Sequence, residues 1–295
     1  MAHSLSQGRR LPDKNEFEQY PANQAASEST EWLDNHILNS ESFVFVIGPE
    51  AKRYTVHKAA FRGLSHYFKV LMDALKLEAR EGCVIWNDIC VSAFSCLCQF
   101  AYTKTYDAPA VPDPQPPARI FDHNARIPRV GVQNAENLWD WYQIARFTRA
   151  SNIVQNHFYS VSHFLSRVEE YQPENRVTFN SGLVLNPGKD YTGTPMCHAK
   201  VFVLADRYGI EQLKLVAIRK LGEALFYMKL KCAKDVVPVI HYAVAHSRLK
   251  DCLRDTLARY VLSVTRLMKK SEELDKAVEE SPDFAVDIYF AMQND

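Results

Sequence analysis

Phosphate-loop chemistry has little material in this sequence. Its 295 residues hold only ten glycines, none placed in a Gly-x-Ser-x-Gly elbow or in a Gly-x-Gly-x-x-Gly turn after a strand. Net charge is missing too. Lys plus Arg number 35 and Asp plus Glu number 35, so no overall field draws in phosphate backbones or anionic lipid, and either partner would need a local patch. No apolar run approaches the length of a membrane span. Met1 to Ser29 is rich in Ser, Gln, Asn and Glu and lacks the apolar segment of a secretory signal. Residues 1–29 read as a disordered arm of a soluble intracellular protein, in cytoplasm or nucleus and not secreted.

Metal and disulfide frameworks are absent by the same test. The seven cysteines are odd in number and lack framework spacings. Cys96 and Cys98 are two apart on a predicted helix, which turns their side chains about 200° apart. Cys83, Cys90, Cys197, Cys232 and Cys252 show no CxxC or Cys-His spacing of a zinc site. They read as buried or half-buried free thiols in a reducing compartment. His157 and His163 are six apart, and His241 and His246 five apart, so neither pair meets on one helical face. His57 has no nucleophile beside it to activate. The expectation is a non-enzymatic chain with no catalytic residues, no cofactor and no metal.

What is there is a dense run of regular elements over residues 42–106. Ser42-Phe43-Val44-Phe45-Val46-Ile47-Gly48 is apolar at successive positions, which predicts a strand covered on both faces. Gly48-Pro49-Glu50 supplies a turn, and Tyr54-Thr55-Val56-His57-Lys58 a second strand, together a hairpin with a longer loop. Phe61, Leu64, Phe68, Leu71, Met72 and Leu75 recur in steps of three and four, predicting one continuous helical stripe. Cys83-Val84-Ile85-Trp86 predicts a third strand. Phe94, Leu97, Cys98 and Ala101 mark a further amphipathic helix.

These residues resemble the BTB/POZ family, whose core runs strand, strand with His-Lys, helix with Ser-x-Tyr-Phe, strand, and helix ending Phe-x-Tyr-Thr. Here the elements read Phe43 to Gly48, Val56-His57-Lys58, Ser65-His66-Tyr67-Phe68, Cys83 to Asn87, and Phe100-Ala101-Tyr102-Thr103. A second block from His198 to Ile210, with Leu204-Ala205-Asp206-Arg207-Tyr208, is similar to the helix that continues such a domain. The likeness covers residues 38–106 and 196–295 and is to fungal-type BTB proteins with an irregular segment between the two blocks. It implies an α+β fold, a small mixed sheet flanked by helices, with an inserted segment and a C-terminal helical bundle. The organisation that follows is the first part of the core over 30–106, a Pro-rich linker and insertion over 107–195, helices completing the core over 196–230, and a helical extension over 231–295.

Within the insertion, Pro109, Pro112, Pro114, Pro116 and Pro117 forbid regular helix and favour an extended linker. Leu138, Trp141, Tyr142 and Ala145, then Val154, Phe158, Val161, Leu165 and Val168, have helical spacing. Val177-Thr178-Phe179 and Leu183-Val184-Leu185 suit a short hairpin. Closing a loop of about 90 residues costs only roughly 2 kcal/mol more than closing one of ten, so the core tolerates it. Beyond residue 196 the chain reads as nearly all helix. Val201, Leu204, Ala205 and Tyr208 share a face, and Gly209 ends that helix in a left-handed cap. Leu213, Ala217, Leu221 and Leu225 mark the next. Asp235 caps another whose first turn accepts Pro238. Leu249, Cys252, Leu253, Thr256, Leu257, Tyr260, Val261, Val264 and Leu267 extend over five turns, and Ser281-Pro282-Asp283 starts a last helix carrying Phe284, Ile288 and Tyr289.

The resemblance implies binding to other proteins, by homodimerisation, by partner capture, or by recruitment of a cullin scaffold of ubiquitin ligases. The corepressor-docking branch of the family pairs an Asp before the first strand with a basic residue after the second. This chain keeps Lys58 but has Ser42 at the acidic position. Cullin-binding members carry an apolar-x-Glu motif after the first long helix, where this chain offers Lys76-Leu77-Glu78, with Leu75 or Leu77 as the substitute anchor. Trp32, Leu33 and Ile37 precede the first strand and lie outside the core pattern, which suits a dimer interface, or else the cover of one edge of their own domain. The alternative of another class is a nucleic-acid-associated regulator using Arg119, Arg126, Arg129, Arg146 and Arg149 among the aromatics of the insertion.

Overall fold

The computed structural model describes residues 36–73, 82–108, 164, 193–228, 235–267 and 272–293. In chain order these hold β1 (Ser42–Ile47), β2 (Lys52–His57), α1 (Lys58–Arg62), α2 (His66–Met72), β3 (Cys83–Trp86), α3 (Val91–Thr103), α4 (Thr194–Arg207), α5 (Glu211–Tyr227), α6 (Val237–His246), α7 (Cys252–Leu267), α8 (Glu272–Glu280) and α9 (Pro282–Gln293). The architecture is α+β, a three-stranded sheet with helices making up most of the rest.

The apolar run of β1 has its explanation in the strand order β2-β1-β3. β1 is central, antiparallel to β2 with Ser42 opposite His57 and Ile47 opposite Lys52, and parallel to β3 with Val44 opposite Cys83 and Ile47 opposite Trp86. A central strand covered by helices needs apolar residues on consecutive positions rather than alternate ones. Phe45 is the hub of the resulting core. Its ring centroid lies 5.0 to 5.3 Å from those of Phe43, Phe61, Trp86 and Phe94, the spacing at which tilted aromatic pairs attract beyond their buried area. β2, by contrast, buries only Val56. Gly48 carries the hairpin turn at φ +72°, a conformation that favours glycine.

One predicted helix is two. The stripe expected to run unbroken from Phe61 stops at Arg62 and resumes at His66, with Leu64 half-buried in the break. The cause is local. Ser65 is extended, and its Oγ accepts the Phe68 N–H at 3.4 Å, so it caps a new helix instead of continuing the old one. Phe61, Phe68, Leu71 and Met72 still reach the core, because α1 and α2 turn the same face inward. Leu75 lies outside the described residues.

α4 returns the chain to the sheet. Tyr208 at its end stacks on Trp86 with ring centroids 4.6 Å apart and planes at 14°, and Gly209 at φ +66° lets the Ile210 N–H donate back to the Ala205 carbonyl at 2.8 Å. Leu213, Ala217, Leu221 and Leu225 are all buried along α5. α6 differs from expectation at its start. Val236, not Asp235, occupies the N-cap, without a side-chain hydrogen bond, while Pro238 takes its place in the first turn. α7 begins at Cys252, leaving Leu249 outside the helix and exposed. α8 was not anticipated, and α9 buries Phe284 while Tyr289 faces outward. Of the insertion, Phe164 is buried, its ring 6.3 Å from Phe226 and 6.1 Å from Tyr260. That aromatic serves the core. The predicted Pro-rich linker, the remaining insertion helices and the short hairpin lie outside the described residues, as does the N-terminal arm.

Candidate interaction surface

The junction of β1, β2 and α1 concentrates the polar contacts nearest the predicted site residues. Ser40 closes a turn on Ile37, its N–H and Oγ both donating to the Ile37 carbonyl at 3.0 and 2.8 Å, while its Oγ accepts the Ala59 N–H at 3.1 Å. The Lys58 N–H donates to the Glu41 carbonyl at 2.8 Å. Above that bond, the Lys58 ammonium meets the Glu41 carboxylate at 2.7 Å, and the hydrogen bond and charge of Lys58 hold the Glu41 carboxyl below its ordinary range.

This pair corrects the reading that placed the acidic position at Ser42. Ser42 faces His57 in the ladder, and the carboxylate comes from one residue earlier. A strand's side chains alternate between faces, so a shift of one position decides which residue can reach Lys58.

Beside the pair, Tyr102 on α3 ties the end of β2 to the helical layer. Its oxygen accepts the His57 backbone N–H at 3.0 Å and lies 3.0 Å from His57 Nδ1. The hydroxyl, with one proton and two lone pairs, serves both groups whichever way the bond to Nδ1 runs. His57 is thus the packing and hydrogen-bonding residue expected of it.

Ile37 is a correction as an interface residue and fits the other reading, the cover of its own domain. It is 2% exposed and belongs to the chain's own core, whereas its neighbour Leu38 is 51% exposed. The core claims Ile37 because the Ser40 turn folds the segment back onto the sheet. Trp32, Leu33, Leu75, Leu77 and Glu78 lie outside the described residues. Immediately before the last three, Arg62 grips Asp73 through two bonds of 2.6 and 3.1 Å, which fixes α1 against the end of α2. Elsewhere on the surface, Ile85 on β3 is 64% exposed, and Val286, Tyr289 and Met292 recur every third residue on the open side of α9.

A second polar cluster is interior and joins the segments on either side of the insertion. Tyr106 Oη lies 2.8 Å from His198 Nδ1, both fully enclosed. The Lys220 ammonium stands 5.3 Å from the Tyr106 ring centroid, and Glu223 is held by Arg219 at 3.0 Å. Burial, then the Lys220 charge, pushes His198 down to about 3. Burial likewise lowers Lys220 and raises Glu223. Cys96 and Cys197 meet in the same interior, and Arg207 pairs with Asp88 at the surface end of α4. Apart from the i,i+4 pair of Arg219 with Glu223, sequence spacing contains no signal for these contacts; Tyr106 with His198, Cys96 with Cys197 and Asp88 with Arg207 span 92 to 119 residues. Glu41 was legible in principle, as the last acidic residue before β1.

Among the described residues, no group of three or more His, Cys, Asp or Glu side chains could hold a metal ion, and no helix is long and apolar enough to cross a membrane. No protein-family model matches the chain, and no curated protein matches it.

Proposed function

We propose that the chain is a non-enzymatic protein-interaction module of the BTB/POZ type, presenting surfaces to other proteins, with its own copy among the partners. The observation that carries this reading is the union of the two resembling blocks. The strand-strand-helix-strand-helix run and the Leu-Ala-Asp-Arg-Tyr helix pack as one unit through the Tyr208 and Trp86 rings at 4.6 Å and the ion pair of Arg207 with Asp88. The element order and the sheet order with β1 central support the same reading. So does the Glu41 to Lys58 pair, which provides the charged couple that the corepressor-docking branch of that family uses.

Exposed Leu38, Ile85 and the outward residues of α9 supply apolar surface for association. The functional steps assigned to the chain are all binding steps. Light scattering of the purified full chain at micromolar concentration, with affinity capture and partner identification, tests it. A dimer or a specific protein partner lost on Lys58→Ala is the expected result; a monomer that captures no protein overturns it. Capture of a cullin, lost in Glu78→Ala or Leu77→Ala, identifies the adaptor form of the same reading, and salt-dependent retention on nucleic acid through the insertion's arginines replaces it with a nucleic-acid regulator.

A further inference from the structure

Cys96 on α3 and Cys197 in the first turn of α4 bring their sulfurs to 3.9 Å. Both thiols are free. The two residues are 101 apart in sequence, one on each side of the insertion, and their helices pack directly against each other. A pair of buried thiols in contact is a place where a modest change in chemistry would bond the two segments covalently.

We propose that Cys96 and Cys197 form a disulfide in response to a peroxide oxidant, a covalent clasp between the segments preceding and following the insertion. The two sulfurs differ in their surroundings, and the difference assigns their roles. Cys197 is the more accessible, 8% exposed against 2% for Cys96. The thiol–thiol contact with Cys96, opposed by burial and aided by the Lys200 charge, holds the Cys197 thiol below its ordinary range, and the same contact together with burial raises that of Cys96. Its place at a helix N-terminus further favours thiolate. Cys197 is the attacking sulfur and Cys96 the resolving one.

In the first step the Cys197 thiolate attacks one peroxide oxygen. An S–O bond forms, the O–O bond breaks, and the released hydroxide takes up a proton to leave as water, giving the sulfenic acid. Cys96 then attacks that sulfur. The S–S bond forms, the S–O bond breaks, and the sulfenic oxygen leaves as water with the proton Cys96 gives up. In sum, two thiols and one hydrogen peroxide yield one disulfide and two waters. The sulfurs, 3.9 Å apart, must close to about 2.05 Å, a movement of roughly 2 Å.

Cys98, Cys252 and Cys90 differ from this pair. Burial pushes Cys98 up to about 12 and Cys252 up to about 11, and the Cys90 sulfur contacts the Ser92 hydroxyl at 3.2 Å rather than another thiol.

The test uses the full chain, reduced, desalted and exposed to stoichiometric hydrogen peroxide, with remaining thiols alkylated in denaturant before digestion with trypsin. The expected product is a linked pair of peptides, residues 81–104 with residues 190–200, that separates on adding dithiothreitol. Because Cys83, Cys90, Cys96 and Cys98 share the first peptide, fragmentation of the linked species must place the bond at Cys96. A non-reducing gel should show a monomer, and the oxidised chain should unfold at higher urea than the reduced one. Cys96→Ala and Cys197→Ala should each abolish the linked pair, while Cys90→Ala and Cys98→Ala keep it. Recovery of both Cys96 and Cys197 as alkylated thiols or as sulfinic acids overturns the proposal. A bond mapped to Cys90 or a covalent dimer does so equally, and these wild-type readouts hold whether or not a variant folds.

Discussion

Asp287 on α9 accepts the Nε–H of Arg254 on α7 at 2.5 Å, with the two side chains 1% and 3% exposed. The Lys250 N–H completes the carboxylate's shell at 3.2 Å. Two charges this deep are costly to desolvate, and the Nε–H bond to Asp287 offsets part of that cost while Arg254 Nη2 stays without a hydrogen bond. Asp287→Ala leaves the guanidinium uncompensated in the interior and should lower stability by about 3 to 5 kcal/mol. A double replacement by apolar residues of similar volume, Arg254→Met with Asp287→Leu, should recover most of that loss. Urea unfolding of the three chains measures it, and equal losses in the single and double variants would contradict the pairing.

His198 makes stability depend on pH. Its folded pKa of about 3 lies below the unfolded value of about 6.5, so between those values the unfolded chain binds the extra proton. The contribution of neutral His198 is complete above the unfolded pKa and is lost as pH falls toward the folded one, with a slope of up to about 1.4 kcal/mol per pH unit. His198→Gln keeps a polar partner for Tyr106 and cannot titrate. The difference between wild type and variant, followed by denaturant titrations from pH 7 to 4, should shrink steadily as pH falls.

Gly48 and Gly209 both have positive φ, yet substitution should treat them differently. A Cβ at Gly209 meets nothing within 4 Å, whereas at Gly48 it would stand 3.0 Å from Val91 Cγ2. Gly209→Ala should therefore cost only the backbone term, about 1 to 2 kcal/mol. Gly48→Ala adds a steric term, because Val91 opens α3 and cannot easily retreat. Thermal melts should rank Gly48→Ala as the less stable of the two.

Glu41 offers a probe of binding that leaves folding nearly alone. Its carboxylate is exposed, and an exposed ion pair screened by water contributes little to stability. Glu41→Ala should leave the melting temperature almost unchanged while weakening self-association or partner capture at least severalfold. Unchanged association by light scattering and pull-down would remove this corner from the interaction surface.

Tyr102→Phe deletes one hydroxyl that serves two groups of His57. Stranding a half-buried backbone N–H and a ring nitrogen should cost about 1 to 3 kcal/mol, read as a shift in the urea midpoint at constant slope.

Local pattern made much of this molecule legible. β1 and β3 lie where the apolar runs of residues 42–48 and 83–86 put them, and Gly209 ends α4 as its position suggested, because period and turn chemistry act over a few residues. The break at Gly63 to Ser65 was missed because a three-four spacing continues across it, and only the capping bond of Ser65 interrupts the backbone. α8 was missed because its nine residues are mostly charged, with Leu274 and Ala277 among the few apolar ones, both buried. At the candidate surface, Lys58 is legible, but with Ser42 at the acidic position the sequence leaves it without a carboxylate, and the strand pairing is what brings Glu41 to it.

By itself, the sequence determined the order and kind of most of the described elements, the central strand, and a chemistry poor in phosphate loops and metal spacings, all properties of neighbouring residues. The tertiary structure alone decided that Ile37 is core, that Glu41 meets Lys58, that Arg254 meets Asp287, and that Cys96 touches Cys197. Contacts between residues 17 to 101 positions apart depend on how the helices settle onto the sheet, and that packing is set by the sum of many buried side chains rather than by any local spacing.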